Sequence, residues 1–195
     1  FNRSKIPIMV HQKIKTGINL TKNFFVTGAF VETNQQVENE ICRYIPNHEN
    51  ATVVEFGMGH GNITKAILDQ MHPNSRLLSF EVNNDFCAHV KQTLKDDRLT
   101  IINDSAANLV QHIQTPLDAV VSSIPFSFIS KKIGAQIIVQ AHQQLIDKAY
   151  FSQVLLTKFN FKKFQKVFAN CQLLKIKSVP SYYIYHCQKD LLTNN

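Results

Sequence analysis

The sequence predicts a doubly wound α/β fold with a mostly parallel seven-stranded sheet that ends in a C-terminal antiparallel hairpin. Apolar, β-branched segments alternate with helix-like segments along the chain, which is the pattern of repeated βαβ units. The last two apolar segments are separated only by Val179, Pro180 and Ser181, a connection too short for a crossover helix. These two strands are therefore predicted to run antiparallel.

Seven strands are predicted in chain order: Thr52–Phe56, Leu77–Glu81, Thr100–Ile102, Ala119–Ser123, Ser152–Thr157, Leu173–Ser178 and Tyr182–His186. Helices are predicted before and between them: Gln35–Arg43, Ile63–Gln70, Asp85–Leu94, Ala106–Ile113 and Lys131–Ala149. The last helix has the clearest periodicity, with one apolar stripe formed by Ile133, Ile137, Ile138, Ala141, Leu145 and Ile146. We expect this stripe to cover one face of the sheet.

Charge divides the chain into a basic arm, residues 1–30, and one domain, residues 31–195. The arm has five Lys/Arg and no acid, residues 148–189 have eight lysines and no acid, and the centre is net acidic within a total of +7. This asymmetry indicates an anionic partner, either lipid headgroups or nucleic acid. Aromatic residues alternate with lysines around Phe161, Phe164 and Phe168, which fits a core-packed helix and, alternatively, stacking on nucleobases.

No apolar run approaches the roughly eighteen residues that span a bilayer, and no signal-peptide pattern opens the chain. We therefore expect a cytoplasmic protein that can dock peripherally on the inner membrane face. The four cysteines form no C-x-x-C pair and have no histidine at zinc-ligand spacing, so we expect reduced structural thiols and no metal.

A glycine-rich turn follows the first predicted strand, with glycines at Gly57, Gly59 and Gly61. Glycine permits a tight turn there and lets a ligand approach the backbone. A dinucleotide fingerprint requires its third glycine at the position of Asn62, which argues against a nicotinamide cofactor.

Three acidic residues accompany this turn at predicted strand ends. Glu55 precedes the glycines, Glu81 lies twenty residues beyond the last of them and can accept two ribose hydroxyls, and Asp104 can accept from an adenine amino group. Singly, each residue has an ordinary interpretation: Glu55 and Asp104 as helix caps and Glu81 as a solvated strand end. Their joint occurrence favours a ligand crevice at the carboxyl edge of the sheet.

An acid followed by G-x-G-x-G resembles motif I of the class I S-adenosylmethionine-dependent methyltransferases. The resemblance implies a Rossmann-like fold, methyltransferase activity and S-adenosyl-L-methionine as cofactor. It implies cofactor contacts from Phe30, Glu55, Gly57, Gly59, Gly61, Glu81, Val82, Asp104, Ser105 and Ser122.

The segment after the fourth strand occupies the position where class I enzymes face the methyl acceptor. It contains Ser123, Ile124 and Pro125, which we predict as acceptor-facing catalytic residues, and Phe126 as a pocket wall. An ordinary strand-to-helix turn is the alternative interpretation. No general base is identifiable: one of the tyrosines at 182, 183 and 185, or water, can serve.

Two subfamilies are similar to this segment. The ribosomal RNA adenine-N6 dimethyltransferases have an Asn-Leu-Pro-Tyr motif, whose amide is absent here because Ser123 stands in its place. The Ser-Ser-Ile-Pro form resembles the bacterial phospholipid N-methyltransferases, as do the segments 27–33 and 179–185. Met58, His60 and Ser181 depart from that family's pattern.

The resemblance predicts N-methylation of a phospholipid headgroup such as phosphatidylethanolamine. In that family an N-terminal helix binds membrane, and the mixed apolar and basic arm fits an anionic surface. The arm can alternatively pack over the cofactor. RNA (adenine-N6) or small-molecule methylation and a non-catalytic binding module are the alternative functions, and the oligomeric state is open.

Overall fold

The computed structural model describes residues 34–190, and these residues form a seven-stranded sheet. The strands are β1 (Thr52–Phe56), β2 (Arg76–Phe80), β3 (Leu99–Ile102), β4 (Leu117–Ser122), β5 (Leu145–Leu155), β6 (Asn170–Ile176) and β7 (Tyr182–Gln188). The helices are α1 (Gln35–Ile41), α2 (Asn62–Gln70), α3 (Asn84–Thr93), α4 (Lys131–Gln144) and α5 (Phe161–Gln165), with a 3-10 helix at Ala106–Gln111.

The strand order is β3-β2-β1-β4-β5-β7-β6. Pairs from β3 to β5 are parallel, while β7 runs antiparallel to both β5 and β6. The predicted mostly parallel sheet with a C-terminal antiparallel hairpin is confirmed. Because β1 and β4 are neighbours and the chain crosses over between them, their carboxyl ends form a crevice at this edge of the sheet.

Two apolar clusters cover the two faces of the sheet, which is the doubly wound arrangement. One contains Val37 of α1 and Ile67 of α2, and the other contains Leu109 of the 3-10 helix, Ile138 of α4 and Phe164 of α5. Side chains alternate between the faces along each strand, so every central strand contributes to both clusters.

The predicted helix Lys131–Ala149 is wrong at its C-terminal end. The helix ends at Gln144, and Leu145 begins β5 by pairing with Leu117 of β4. Ile146, expected in the apolar stripe, is instead an exposed strand residue, and Ile133 is also exposed. The buried helical stripe is formed by Gly134, Ile137, Ile138 and Ala141.

The segment around α5 is a core element. Phe164 and Phe168 are buried, and both rings contact the ring of Phe151 in β5. This agrees with the core-packed interpretation of the alternating aromatic and lysine pattern. The predicted helix Ala106–Ile113 is shorter and of the 3-10 type, with Ser105 as its N-cap.

Candidate functional site

The glycine turn joins the end of β1 to the start of α2. All three of its glycines have positive φ: +82° at Gly57, +54° at Gly59 and +90° at Gly61. The amide of Gly57 donates to the carbonyl oxygen of Phe80 at 2.9 Å, which ties the turn to the end of β2. Left-handed backbone of this kind is what glycine provides without steric cost.

The three glycines differ in what a side chain would meet. A Cβ at Gly57 would lie 3.1 Å from Ser123 Oγ, and one at Gly61 would lie 3.1 Å from Cγ2 of Val90 in α3. A Cβ at Gly59 would have nothing within 4 Å. Gly57 and Gly61 therefore serve close packing inside the protein, whereas Gly59 faces open space that a ligand can occupy.

Glu81 follows β2 directly and is 3% exposed, so its interpretation as a solvated strand end is wrong. Gly59 N donates to its Oε2 at 3.1 Å and Asn83 N donates to its Oε1 at 2.8 Å. Burial raises the pKa of this carboxyl group, while the backbone donors oppose that rise. Both oxygens thus accept a backbone donor, and the carboxylate lies beside Gly59, whose Cβ position is open.

Glu55, in β1, is fully buried. Its Oε2 accepts from Thr64 Oγ1 at 2.7 Å and from Ser79 Oγ at 2.6 Å, which links β1 to α2 and β2. Its Oε1 has no hydrogen-bond partner within residues 34–190. Burial raises the pKa of Glu55 to about 7. Gly61, not Glu55, is the N-cap of α2, so the capping interpretation is wrong and the free oxygen can take a proton or a cationic ligand group.

Asp104 is more occupied than the sequence suggests. Its Oδ1 accepts from Ser105 N at 2.6 Å and Asn108 Nδ2 at 2.8 Å, and its Oδ2 meets His112 Nε2 at 2.8 Å. Burial raises the pKa of Asp104, but the hydrogen bonds, first among them that from His112, outweigh it and leave the pKa below its ordinary value. Oδ2 alone retains room for a further donor such as an adenine amine.

The other predicted cofactor residues lie around this edge. Val82 is 42% exposed beside Glu81, Ser105 is half-buried, and Ser122 is buried at the end of β4. Phe30 lies outside the described residues, as does the whole predicted arm. His60 is exposed and its ring contacts the rings of Phe86 and His89, which fits a solvent-side role.

The segment predicted to face the methyl acceptor, residues 123–126, is bonded directly to the glycine turn, and we call it the acceptor turn. Ser123 N donates to Phe56 O at 2.9 Å, and Ser123 Oγ donates to the carbonyl oxygen of Gly57. The structure thus brings the predicted acceptor and cofactor turns together across the β1–β4 crevice. Phe126 is 1% exposed and contacts Phe164 edge-on, so it is a core residue and not a pocket wall.

The carbonyl groups of this turn are largely used internally. Ile124 O accepts from Phe126 N at 2.9 Å and from Nε2 of Gln153 at 3.1 Å, and Pro125 O accepts from Phe128 N at 2.9 Å.

Two polar residues at this edge of the sheet were not predicted as site residues from the sequence. Gln153 lies in β5, and nothing in the composition of that strand distinguishes it. Asn103 is the second, although a polar side chain directly after a parallel strand indicates a place at the ligand-binding edge of the sheet. Its Nδ2 donates to Glu81 O at 2.9 Å.

Tyr185 is not a candidate base. It is fully buried, its hydroxyl donates to Thr157 O at 2.7 Å, and burial raises its pKa. Within residues 34–190 no three His, Cys, Asp or Glu side chains are grouped as a metal site requires. In the same range, no helix has the length and apolar character to cross a membrane.

Comparison with known proteins supports the predicted fold and enzyme class. The family model described as "Methyltransferase small domain" matches residues 39–186. An ornithine lipid N-methyltransferase of Singulisphaera acidiphila is 25% identical over 153 residues, covering 75% of this chain and 80% of that protein. The ribosomal RNA small subunit methyltransferase A of Mycoplasma pneumoniae is 28% identical over 157 residues, or 78% of this chain and 58% of that protein.

A solved structure with the same fold is the N-methyltransferase NodS of Bradyrhizobium japonicum in complex with S-adenosyl-L-homocysteine. It superposes with a TM-score of 0.65 at 9% identity, over 82% of this chain and 90% of that one. S-adenosyl-L-homocysteine is what remains of S-adenosyl-L-methionine after methyl transfer. The family match over most of the chain identifies the chain as a member of the methyltransferase small-domain family.

Proposed function

We propose that the chain transfers a methyl group from S-adenosyl-L-methionine to the amine of a phospholipid headgroup, such as phosphatidylethanolamine, at an anionic membrane surface. The observation that supports this most is a set of exposed apolar side chains beside the acceptor turn. We call Leu156, Phe159 and Val179 the apolar rim; they are 39%, 82% and 99% exposed.

The strand pairing accounts for the position of the rim. β5 is parallel to β4, so the loop after β5, which holds Leu156 and Phe159, follows the same sheet edge as the acceptor turn. Leu155 of β5 pairs with Tyr183 of β7, so the turn that contains Val179 lies at this edge as well. The rim therefore borders the side of the domain on which the acceptor must enter.

The charge around the rim favours an anionic lipid interface. Lys158 and Lys177 are exposed beside it, and residues 148–189 contain no acid. Apolar tips among lysines suit insertion below a layer of anionic headgroups. RNA would account for the lysines, but aliphatic side chains such as Val179 have no π face on which a base can stack.

The cofactor residues support transfer at this edge. We propose that Glu81 accepts the ribose hydroxyls, that the open backbone at Gly59 contacts the cofactor, and that Val82 packs against its base. Glu55 Oε1 is available to accept a hydrogen bond from the ammonium group in the methionine part of the cofactor. Bound S-adenosyl-L-methionine supplies the electrophilic methyl group, and the chain mainly orients the two reactants and excludes water.

The amine must be uncharged to react. A headgroup ammonium has a pKa near 10 by analogy with lysine, so a proton has to leave before transfer. Tyr182 is excluded on the same grounds as Tyr185, because it is buried and burial raises its pKa, so water or Tyr183 remains to accept the proton. The ornithine lipid N-methyltransferase relative supports an amine-bearing lipid as the acceptor class.

Methyl-labelled cofactor tests the proposal. The protein is incubated in parallel with vesicles of phosphatidylethanolamine and phosphatidylglycerol and with ribosomal RNA, and label is counted in extracted lipid and in RNA. We expect label in lipid. Label in RNA alone would refute the lipid proposal and establish the RNA alternative.

Vesicle co-sedimentation tests the membrane surface separately. Phe159→Ser combined with Val179→Ser should weaken binding to phosphatidylglycerol vesicles several-fold, whereas Val139→Ser, at a 39% exposed position within α4, should not. Replacing Arg3, Lys5, Lys13 and Lys15 with Gln tests the predicted arm in the same assay, and added salt should weaken its contribution. Equal binding by all variants would contradict both membrane contacts.

A further inference from the structure

We propose that Gln153 binds the methyl acceptor, with its side-chain oxygen accepting a hydrogen bond from an N–H of the substrate amine. The ligand class is a neutral primary or secondary amine. This inference rests on the proposed N-methyl transfer and adds a substrate-binding residue that the acceptor motif does not contain.

Gln153 is completely buried near the carboxyl end of β5, beside the acceptor turn. It lies in β5 between Ser122 of β4 and Tyr185 of β7, its partners in the strand register. Its Nε2 donates to Ile124 O at 3.1 Å and to Val154 O at 2.7 Å. Its carboxamide is therefore held against the acceptor turn.

The oxygen of the same carboxamide has no partner. Among residues 34–190, Gln153 Oε1 is one of four buried side-chain atoms without a hydrogen bond, together with Glu55 Oε1, Gln140 Oε1 and His142 Nε2. A flipped amide would place the oxygen against two carbonyl oxygens and lose both donated bonds, so the oxygen is the atom left without a partner. A buried acceptor left without a donor is unfavourable, so the site favours a ligand that brings one.

A reacting amine needs such an acceptor. Its lone pair must point at the methyl group, so its N–H groups point away and require oxygen partners. Ile124 O already takes two donors, Pro125 O takes one, and Ser123 Oγ donates to Gly57 O. Gln153 thus offers, from the neighbouring strand, the carboxamide that the motif lacks at Ser123.

The methyl transfer needs no reactant other than the amine and the cofactor. The amine lone pair forms the new N–CH₃ bond while the S–CH₃ bond breaks and its electron pair returns to sulfur, leaving a neutral thioether. A proton then leaves the methylated nitrogen for water. A primary or secondary amine has an N–H for Gln153 Oε1, and a tertiary amine has none.

That difference provides the test. Purified Gln153→Met and wild-type protein are compared on vesicles of phosphatidylethanolamine and of its N,N-dimethyl derivative, with cofactor affinity measured by calorimetry. We expect KM for phosphatidylethanolamine to rise at least tenfold, while KM for the dimethyl lipid and the Kd for S-adenosyl-L-homocysteine change less than twofold. Gln140→Met, at another buried and unpartnered glutamine oxygen on α4, is the matched control and should change neither KM.

In Gln153→Glu, burial favours the protonated carboxyl group, which can donate to Ile124 O and keep its other oxygen as the acceptor, so this variant should recover part of the loss on phosphatidylethanolamine. The melting temperatures of both variants show whether they are folded. Equal losses on both lipids, or reduced cofactor affinity at an unchanged KM ratio, would show a structural role and overturn the inference. Wild-type protein that methylates neither lipid overturns the proposed function and this inference together. Wild-type turnover with an unaffected Gln153→Met variant overturns the inference alone.

Discussion

Removal of the Glu81 carboxylate is the sharpest test of the proposed cofactor site. The side chain is 3% exposed and is already oriented by Gly59 N and Asn83 N, so it meets a ligand without having to rearrange. If it accepts two ribose hydroxyls, Glu81→Ala removes two hydrogen bonds to a charged group, each of about 1.5–3 kcal/mol. Water that enters the vacated space recovers part of this energy.

The net loss of binding free energy should be about 2–4 kcal/mol, which weakens cofactor affinity by about 30-fold to about 1,000-fold. Glu81→Gln keeps one oxygen without the charge and should fall between wild type and Ala. Calorimetric titration with S-adenosyl-L-homocysteine measures both variants, with Glu49→Gln, at an exposed position, as control. A Kd within twofold of wild type in folded Glu81→Ala would mean that another residue holds the ribose.

Two further predictions concern the same edge. Gly59→Val should abolish cofactor binding by filling the open space at this position, and it should also lower the melting temperature, because a β-branched residue is strained at a φ of +54°; unchanged calorimetric affinity in the folded variant would move the cofactor away from this turn. Glu55→Gln should remove a pH dependence of stability in the cofactor-free protein. Folding raises the pKa of Glu55 from 4.5 to about 7, so ionisation of this residue lowers the free energy of unfolding by about 3 kcal/mol. This loss of stability develops as the pH rises from 4.5 to about 7. Urea unfolding at pH 5 and pH 8 checks this, and identical pH slopes for variant and wild type would contradict it.

Local patterns were predictable and boundaries between similar patterns were not. Spacing along the chain predicted the glycine turn, the position of Glu81 at the end of β2 and the final hairpin, because each depends on residues close together in the sequence. The end of α4 was misplaced because Leu145 and Ile146 continue a helical apolar spacing and are equally suited to a strand. Pairing with Leu117 of β4 decided in favour of the strand.

The sequence by itself determined the fold class and the edge of the sheet at which the predicted cofactor residues lie, because βαβ alternation and the glycine spacing are local properties that permit few topologies. Only the tertiary structure decided which groups remain free at that edge. Three donors occupy Asp104, and Ile124 O is saturated, whereas Gln153 Oε1 is left unpartnered within the described part of the chain. Hydrogen bonds of this kind join residues far apart in sequence, such as Gln153 and Ile124, and depend on strand order and register, which no local pattern specifies.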